Sequence, residues 1–257
     1  MAHPPLIGIT LDYQESGSFS KRPHYAVRTA YFDAVAAAGG LPIGIPHLAQ
    51  SLPDYLQRID GLVVPGGGFA TPEAWYVDPE EPKAYADSPR AAFDIAIIEG
   101  ALAQDLPLLG ICAGMQELAC VKGGRMTRNV HKFHNTTVDH KNGRPDQFAH
   151  DVVVEKGSRL ASIVGAGRLP VNTAHVEAIV SVPAPVKVTA RSPDGVIEAI
   201  ELPEHKFAIG VQWHPEFFLE EASPHRALFE ALVKAAAERP ATESWRAAKS
   251  RTSRISA

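Results

Sequence analysis

Two short segments of the sequence combine residue types that can do covalent chemistry. Gly110-Ile111-Cys112-Ala113-Gly114 sets a thiol among small residues where an apolar run meets a helical pattern. This is the make-up of a nucleophile elbow, in which glycines permit a tight strand-to-helix turn and the nucleophile projects from the end of the strand. The helix N-terminus there offers partial positive charge and free N–H groups. These lower a thiol's pKa from about 8.5 and aim the Ala113 amide at a developing oxyanion. On the elbow alone, a small buried cysteine is an equally good reading. His214-Pro215-Glu216 supplies the base that a reactive thiol needs. Proline biases His214 toward an extended conformation, in which residues i and i+2 share a side. Glu216 is therefore expected to orient the imidazole while the imidazole takes the thiol proton. Taken by itself, His-Pro-Glu reads more plainly as a surface turn.

The elements that must position these residues alternate as parallel βα units do. Short β-rich runs are expected at 6–10, 41–45, 61–65 and 106–111, with helices over 25–38, 52–58, 89–104 and 113–122. Val27, Tyr31 and Val35 form one buried stripe on the first helix, which stops at Gly39 and Gly40. The strands are expected to be buried on both faces. Cys112, His214 and Glu216 each fall just past an apolar strand, where open α/β sheets build their sites. The pattern loosens through a polar stretch after Gly124, up to about residue 149, and further strands are expected at 151–155, 186–190, 196–202 and 207–213 before a helix over 223–237. Residues 5–237 are read as a single domain, and 238–257 as a peripheral C-terminal tail.

The 257 residues, 45% hydrophobic and 21% charged, are ordinary globular composition. The 25 Lys and Arg against 29 Asp and Glu give a formal charge of −4, which argues against nucleic acid as a partner. No basic leader followed by a long apolar stretch opens the chain, so a cytoplasmic protein with no membrane attachment is expected. Two cysteines, Cys112 and Cys120, exclude a disulfide framework, and Cys120 is expected to pack in the core. His131, His134, His140 and His150 share the polar stretch without a cysteine or a repeated metal-ligand spacing, so neither a metal nor another cofactor is expected. The long segment 69–89 carries Trp75, Tyr76 and Tyr85; it reads equally as a lid over the site or as a loop packed on the surface.

Three motifs carry a resemblance. Val64-Pro65-Gly66-Gly67-Gly68, Leu109-Gly110-Ile111-Cys112-Ala113-Gly114-Met115-Gln116-Glu117 and Gly210-Val211-Gln212-Trp213-His214-Pro215-Glu216 resemble class I glutamine amidotransferase-like proteins, and in the same order. Within that group, Gly39-Gly40-Leu41-Pro42-Ile43, Val171-Asn172-Thr173-Ala174-His175 and the segment from Ala190 to Ala199 resemble the gamma-glutamyl-gamma-aminobutyrate hydrolase family, also called peptidase C26. The resemblance implies an α/β, flavodoxin-like three-layer fold with a mostly parallel central sheet and an added antiparallel strand region. It implies a Cys-His-Glu hydrolase that releases glutamate from a γ-glutamyl amine, of the γ-glutamyl-GABA or γ-glutamyl-polyamine type, through a glutamyl thioester. On this reading Cys112 is the nucleophile, His214 the base and Glu216 its orienting partner. The amides of Gly67 and Ala113 form the oxyanion hole, while Gln116, Asn172, Thr173, Ala174, His175 and Val176 line the glutamyl pocket. Ala113 stands where these hydrolases often carry a larger residue such as Arg, Thr173 where Ser is common and Glu177 where many have Gln. These departures leave the released amine open; a carboxylate at Glu177 either attracts a cationic leaving group such as a polyamine or faces solvent, and the solvent-facing position is expected. A glutaminase subunit feeding ammonia to a separate synthase and a non-catalytic γ-glutamyl metabolite-binding protein are the rival readings. Either a monomer or a homodimer is compatible with the sequence.

Overall fold

A computed structural model describes residues 3–239, so the expected tail beyond Arg239 lies outside the described residues. The chain opens with β1 (Leu6–Thr10), a small hairpin of β2 (Asp12–Gln14) and β3 (His24–Ala26), α1 (Thr29–Ala37) and β4 (Leu41–Ile45). It continues through α2 (Leu52–Arg58), β5 (Gly61–Val64), α3 (Pro89–Ala103), β6 (Leu108–Ile111) and α4 (Ala113–Val121). Shorter elements follow: β7 (Arg125–Thr127), α5 (Val130–His134), β8 (His150–Val154), α6 (Arg159–Val164), β9 (Gly167–Val171) and β10 (Ala178–Ser181). The chain then runs through β11 (Lys187–Arg191), β12 (Ile197–Glu201), β13 (Ala208–Val211) and α7 (Pro224–Ala237).

Nine of these strands form one sheet in the order β4-β1-β5-β6-β13-β12-β11-β8-β9. The first five run parallel, and β12, β11, β8 and β9 add an antiparallel extension. Every residue of β5, β6 and β13 is buried, as a parallel strand covered on both faces must be. Alternate side chains of these strands feed two cores. Val63, Leu109 and Ile111 pack with α1 and α7, while Leu62, Val64 and Leu108 pack with α2, α3 and α4. Pro42 and Pro170, which cannot donate to a ladder, lie in β4 and β9, the two edge strands. Among the described residues, no helix is long and apolar enough to cross a membrane.

Several boundaries differ from the sequence expectations. The first helix begins at Thr29 rather than at residue 25, because Tyr25 pairs with Tyr13 in the β2–β3 ladder and Arg28 is extended. Val27 therefore lies outside the helical stripe, while Tyr31 and Val35 are buried as expected. The strand expected from residue 106 begins at Leu108, since the Leu106 N–H is still turned back to the Ala101 carbonyl at 2.9 Å. β7, α5, α6, β9 and β10 were not anticipated; all are six residues or shorter.

Helix α4 is seated tightly against the sheet. A Cβ on Gly114 would lie 2.1 Å from the Val64 carbonyl oxygen, and one on Gly110 would lie 2.6 Å from the Gly114 carbonyl oxygen. Gly114→Ala is accordingly expected to destabilise the fold by about 2 kcal/mol or more, because backbone must move to admit the methyl. The urea midpoint, read at unchanged m-value, checks this; an unshifted midpoint would contradict the tight seating.

Candidate active site

Parallel pairing of β6 with β13 sets Ile111 opposite Val211, so the chain leaves both strands at the same edge. The Cys112 N–H donates to the Val211 carbonyl at 2.8 Å and fixes the turn to the neighbouring strand. Cys112 itself sits at φ 53°, ψ −107°, a backbone region that side-chain-bearing residues avoid and that the sheet and α4 together enforce. The next residue, Ala113, opens α4, so its N–H has no acceptor within the helix.

His214 lies three residues past β13, held by its backbone. Asn172, just beyond β9, accepts from the His214 N–H at 2.8 Å and donates to the His214 carbonyl at 3.0 Å. The antiparallel extension thus closes back onto the carboxyl end of the parallel strands. Pro215 starts a single 3-10 turn over Pro215–Phe217, and that turn, rather than an extended i, i+2 geometry, brings Glu216 Oε1 to 2.8 Å from His214 Nδ1. The expected pairing therefore forms by a different backbone route. Cys112 and His214 converge on Gly66, where a Cβ would stand 2.7 Å from His214 Cε1 and 3.1 Å from Cys112 Cβ.

Cys112 and His214 reset each other's protonation. Burial opposes ionisation of Cys112, but the positive charge of His214, its interaction with the sulfur and the nearby His175 hold the thiol below its ordinary value. Burial also opposes charging of His214, yet Glu216 and the Cys112 sulfur push its pKa up to about 10. The arrangement favours a thiolate beside an imidazolium and can perform nucleophilic attack on a carbonyl followed by proton delivery to a leaving group.

The glycine loop beside this pair is pinned by residues that motif reading missed. Buried Arg90 donates to the Pro65 carbonyl at 2.6 Å and the Gly66 carbonyl at 3.0 Å, and its Nε meets Asp94 at 2.8 Å. Its guanidinium lies 4.5 Å from the centre of the Phe69 ring. The Gly66 N–H donates to the Tyr31 hydroxyl at 3.1 Å. Burial and Glu216 push the Tyr31 phenol well above its ordinary value, so it remains an O–H. One signal was legible for Arg90: an arginine in the first turn of a helix opposes the macrodipole and needs another reason to be there.

The residues expected to line the glutamyl pocket are used unevenly. Gln116 is buried, and its amide donates to the Glu177 carbonyl at 2.9 Å and to Gln212 Oε1 at 3.1 Å. Besides clamping His214, Asn172 donates to the Pro145 carbonyl at 2.6 Å, and the Thr173 hydroxyl donates to the His140 carbonyl at 2.8 Å. His175 Nδ1 meets the Glu177 carbonyl at 2.9 Å. Ala174 and Val176 are partly exposed. Gly67 sits beside Arg90 in the pinned loop.

Glu177 does not face solvent. It is 4% exposed, and its carboxylate accepts from the Tyr76 hydroxyl at 2.9 Å. Tyr76 belongs to the long 69–89 loop, which is strapped down from β7 and the residue that follows it. Arg125 donates to the Tyr76 carbonyl at 2.6 Å, Thr127 to Asp78 at 2.6 Å, and Arg128 to the Pro79 and Glu81 carbonyls at 2.7 and 2.6 Å. The Tyr85 ring packs over Gly68, and burial pushes its phenol up to about 12. Cys120 packs in the core as expected, its thiol raised by burial. Of the four histidines in the polar stretch, His140 and His150 come together with His175 and Glu198, whereas His134 stands against Phe133.

A mostly parallel sheet between helical layers, with a cysteine at a strand-to-helix elbow, defines a class I glutamine amidotransferase-like fold. The glutaminase domain of Trypanosoma brucei CTPS with bound acivicin shares it at a TM-score of 0.60 and 18% identity, over 92% of this chain and 95% of that one. The family model for peptidase C26 matches residues 5–216. The gamma-glutamyl-gamma-aminobutyrate hydrolase PuuD of Escherichia coli (strain K12) is 36% identical over 242 residues, 90% of this chain and 93% of its own. A glutamine amidotransferase-like protein of Rickettsia prowazekii (strain Madrid E), RP404, is 30% identical over 91% of this chain and 99% of its own. The chain belongs to the peptidase C26 family and is a glutamine-amidotransferase-like hydrolase.

Burial pushes the Glu177 carboxyl up to about 7, against Tyr76 and Arg128, which favour its anion. Between its ordinary value and about 7 the folded protein therefore binds the proton more tightly than the unfolded chain does, and stability falls as pH rises through that window. Glu177→Gln keeps an acceptor for Tyr76 and removes the titration. Thermal midpoints from about pH 5 to about pH 8 should fall less steeply in the variant than in the parent protein. Equal slopes would contradict the buried, proton-retaining carboxyl.

Proposed function

We propose that the protein is a cysteine-dependent hydrolase that cleaves the γ-glutamyl amide bond of a small γ-glutamyl amine, of the γ-glutamyl-GABA or γ-glutamyl-polyamine type, to glutamate and free amine. The observation that carries this reading is the convergence on Gly66 of Cys112, at its strand-to-helix elbow, and His214, paired at 2.8 Å with Glu216. The Cys112 thiolate adds to the γ-carbonyl carbon, and the developing oxyanion accepts hydrogen bonds from the Ala113 and Gly67 N–H groups. His214 then gives its proton to the amine nitrogen as the C–N bond breaks, leaving a glutamyl thioester and the free amine. Neutral His214 next takes a proton from water, the hydroxyl adds to the thioester, and the C–S bond breaks to give glutamate and the thiolate. Glu216 orients the ring through its contact with Nδ1.

Family membership and the name of the Escherichia coli relative support the γ-glutamyl half of the substrate. Gln116, Ala174 and Val176 border that half, whereas Asn172 acts by positioning His214. Glu177, already engaged by Tyr76, does not act as an anchor for a cationic amine. A second reading, a glutaminase subunit that supplies ammonia to a separate synthase, rests on the fold shared with the Trypanosoma brucei glutaminase domain.

Glutamate release from γ-glutamyl-GABA, γ-glutamyl polyamines and free glutamine, with Cys112→Ala as the blank, separates these readings. One conjugate should be turned over well above glutamine, and Cys112→Ala should release none. His214→Asn should lose a factor of about 10² or more, and Glu216→Gln should lose less. Hydrolysis of glutamine alone, rising only when a partner protein is added, would favour the ammonia-supplying subunit. Conjugates that bind without turnover would make the chain a metabolite-binding protein, and an undiminished Cys112→Ala would end the thiol mechanism.

A further inference from the structure

Away from the Cys112–His214–Glu216 constellation, four buried side chains from four segments point at one another. His140 lies between α5 and β8, His150 is the first residue of β8, His175 follows β9 and Glu198 lies on β12. Glu198 Oε1 stands 3.5 Å from His140 Nδ1, 3.8 Å from His150 Nε2 and 3.7 Å from His175 Nε2. None of these four atoms has a hydrogen-bonding partner among the described residues. His140, His175 and Glu198 are at most 2% exposed, and the His150 side chain is 8% exposed.

The opposite ring nitrogens are all engaged by acceptors. His140 Nε2 is 3.0 Å from Asp194 Oδ2, His150 Nδ1 is 3.2 Å from the Asp151 carbonyl and His175 Nδ1 is 2.9 Å from the Glu177 carbonyl. A carbonyl oxygen only accepts, so each of these last two rings carries a proton on Nδ1, and the neutral ring of His150 would turn its Nε2 lone pair toward Glu198; His175, against the opposition of burial, is raised by Glu198 and the Cys112 sulfur. The Asp194 carboxylate fixes His140 in the same sense. Outward nitrogens donating to carbonyl or carboxylate oxygens, with inward lone pairs converging, are the outer shell that orients imidazoles on a metal.

A hydrogen-bonded imidazolium–carboxylate pair would close to about 2.7–2.9 Å, shorter than any of the three separations here. Ligand atoms around a tetrahedral ion with bonds of about 2.0–2.1 Å are instead roughly 3.3–3.4 Å apart, within a few tenths of those observed. The donor atoms of His140, His150 and Glu198 also lie within 4.8 Å of one another. We propose that His140, His150 and Glu198 form a three-ligand site for a divalent transition-metal ion of the zinc type, with His175 standing against the same Glu198 oxygen. Nitrogen and carboxylate donors suit such an ion, and calcium or magnesium would seek oxygen alone. The ion would tie the polar stretch, the start of β8 and β12 into one unit. His175 shares its turn with Asn172, the residue that clamps the His214 backbone, so the site is a positioning device for the candidate active site and not part of the triad.

Spacing along the chain hid this cluster, because its carboxylate is contributed by a strand far from the histidine-bearing stretch. The test uses the full chain loaded with Zn²⁺ and dialysed without chelator. It should retain one zinc per chain by elemental analysis, and stripping with a chelator should lower the thermal midpoint by several degrees, with Zn²⁺ restoring it. Metal should be retained by Cys112→Ser and lost from both His150→Ala and Glu198→Gln, with the fold of each followed by circular dichroism. Should those two variants fail to fold, Co²⁺ loaded into the parent protein and into Cys112→Ser supplies the answer. The same tetrahedral visible spectrum in both, with no thiolate charge-transfer band, supports the site. Substoichiometric zinc with no change in midpoint would overturn the proposal, as would full retention by folded His150→Ala and Glu198→Gln or loss of the metal in Cys112→Ser.

Discussion

The contact between His214 and Cys112 stabilises charge that neither side chain would carry alone out of water. Burial by itself would keep the thiol protonated and the imidazole neutral. Each becomes charged because the other does, and because Glu216, also buried, makes the imidazolium the favoured form. Such mutual stabilisation depends steeply on distance in a low-dielectric interior, so the backbone on both sides has to be held hard.

Much of the surrounding architecture serves that requirement. The β6–β13 ladder fixes where the two chains leave the sheet, and the close seating of α4 on β5 leaves Cys112 in a backbone region it would otherwise avoid. Asn172 grips both backbone polar groups of His214 from the far end of the sheet, and Arg90 and Tyr31 fix the glycine loop. Arg90 is itself a buried charge, and its pairing with Asp94 together with two carbonyls satisfies the fork that burial would otherwise leave unpaired.

The parallel half of the fold was legible because its strands are continuous apolar runs separated by clear helical stripes and glycine stops. The elbow was legible because Gly110 and Gly114 occupy positions where a Cβ would strike backbone. The antiparallel half was harder to read. β9 contains Pro170 and an exposed Arg168 and is tolerable only because it is an edge, a property that local sequence does not reveal. The hairpin that displaced the start of α1 depends on Tyr13 pairing with Tyr25 across an intervening loop. Glu177 was misread because its burial comes from Tyr76, about a hundred residues earlier in the chain. Glu198 gave one local sign, a carboxylate in a strand with every residue buried, but its histidine neighbours come from three other segments.

Against burial, pairing with His214 holds the Cys112 thiol below its ordinary value. The most direct measurement is the pH dependence of Cys112 alkylation by iodoacetamide, followed by mass spectrometry in the parent protein and in His214→Asn. The midpoint should lie below the usual thiol value of about 8.5 in the parent protein and rise when the imidazole is removed. A midpoint at or above the usual value, unmoved by His214→Asn, would contradict that pairing.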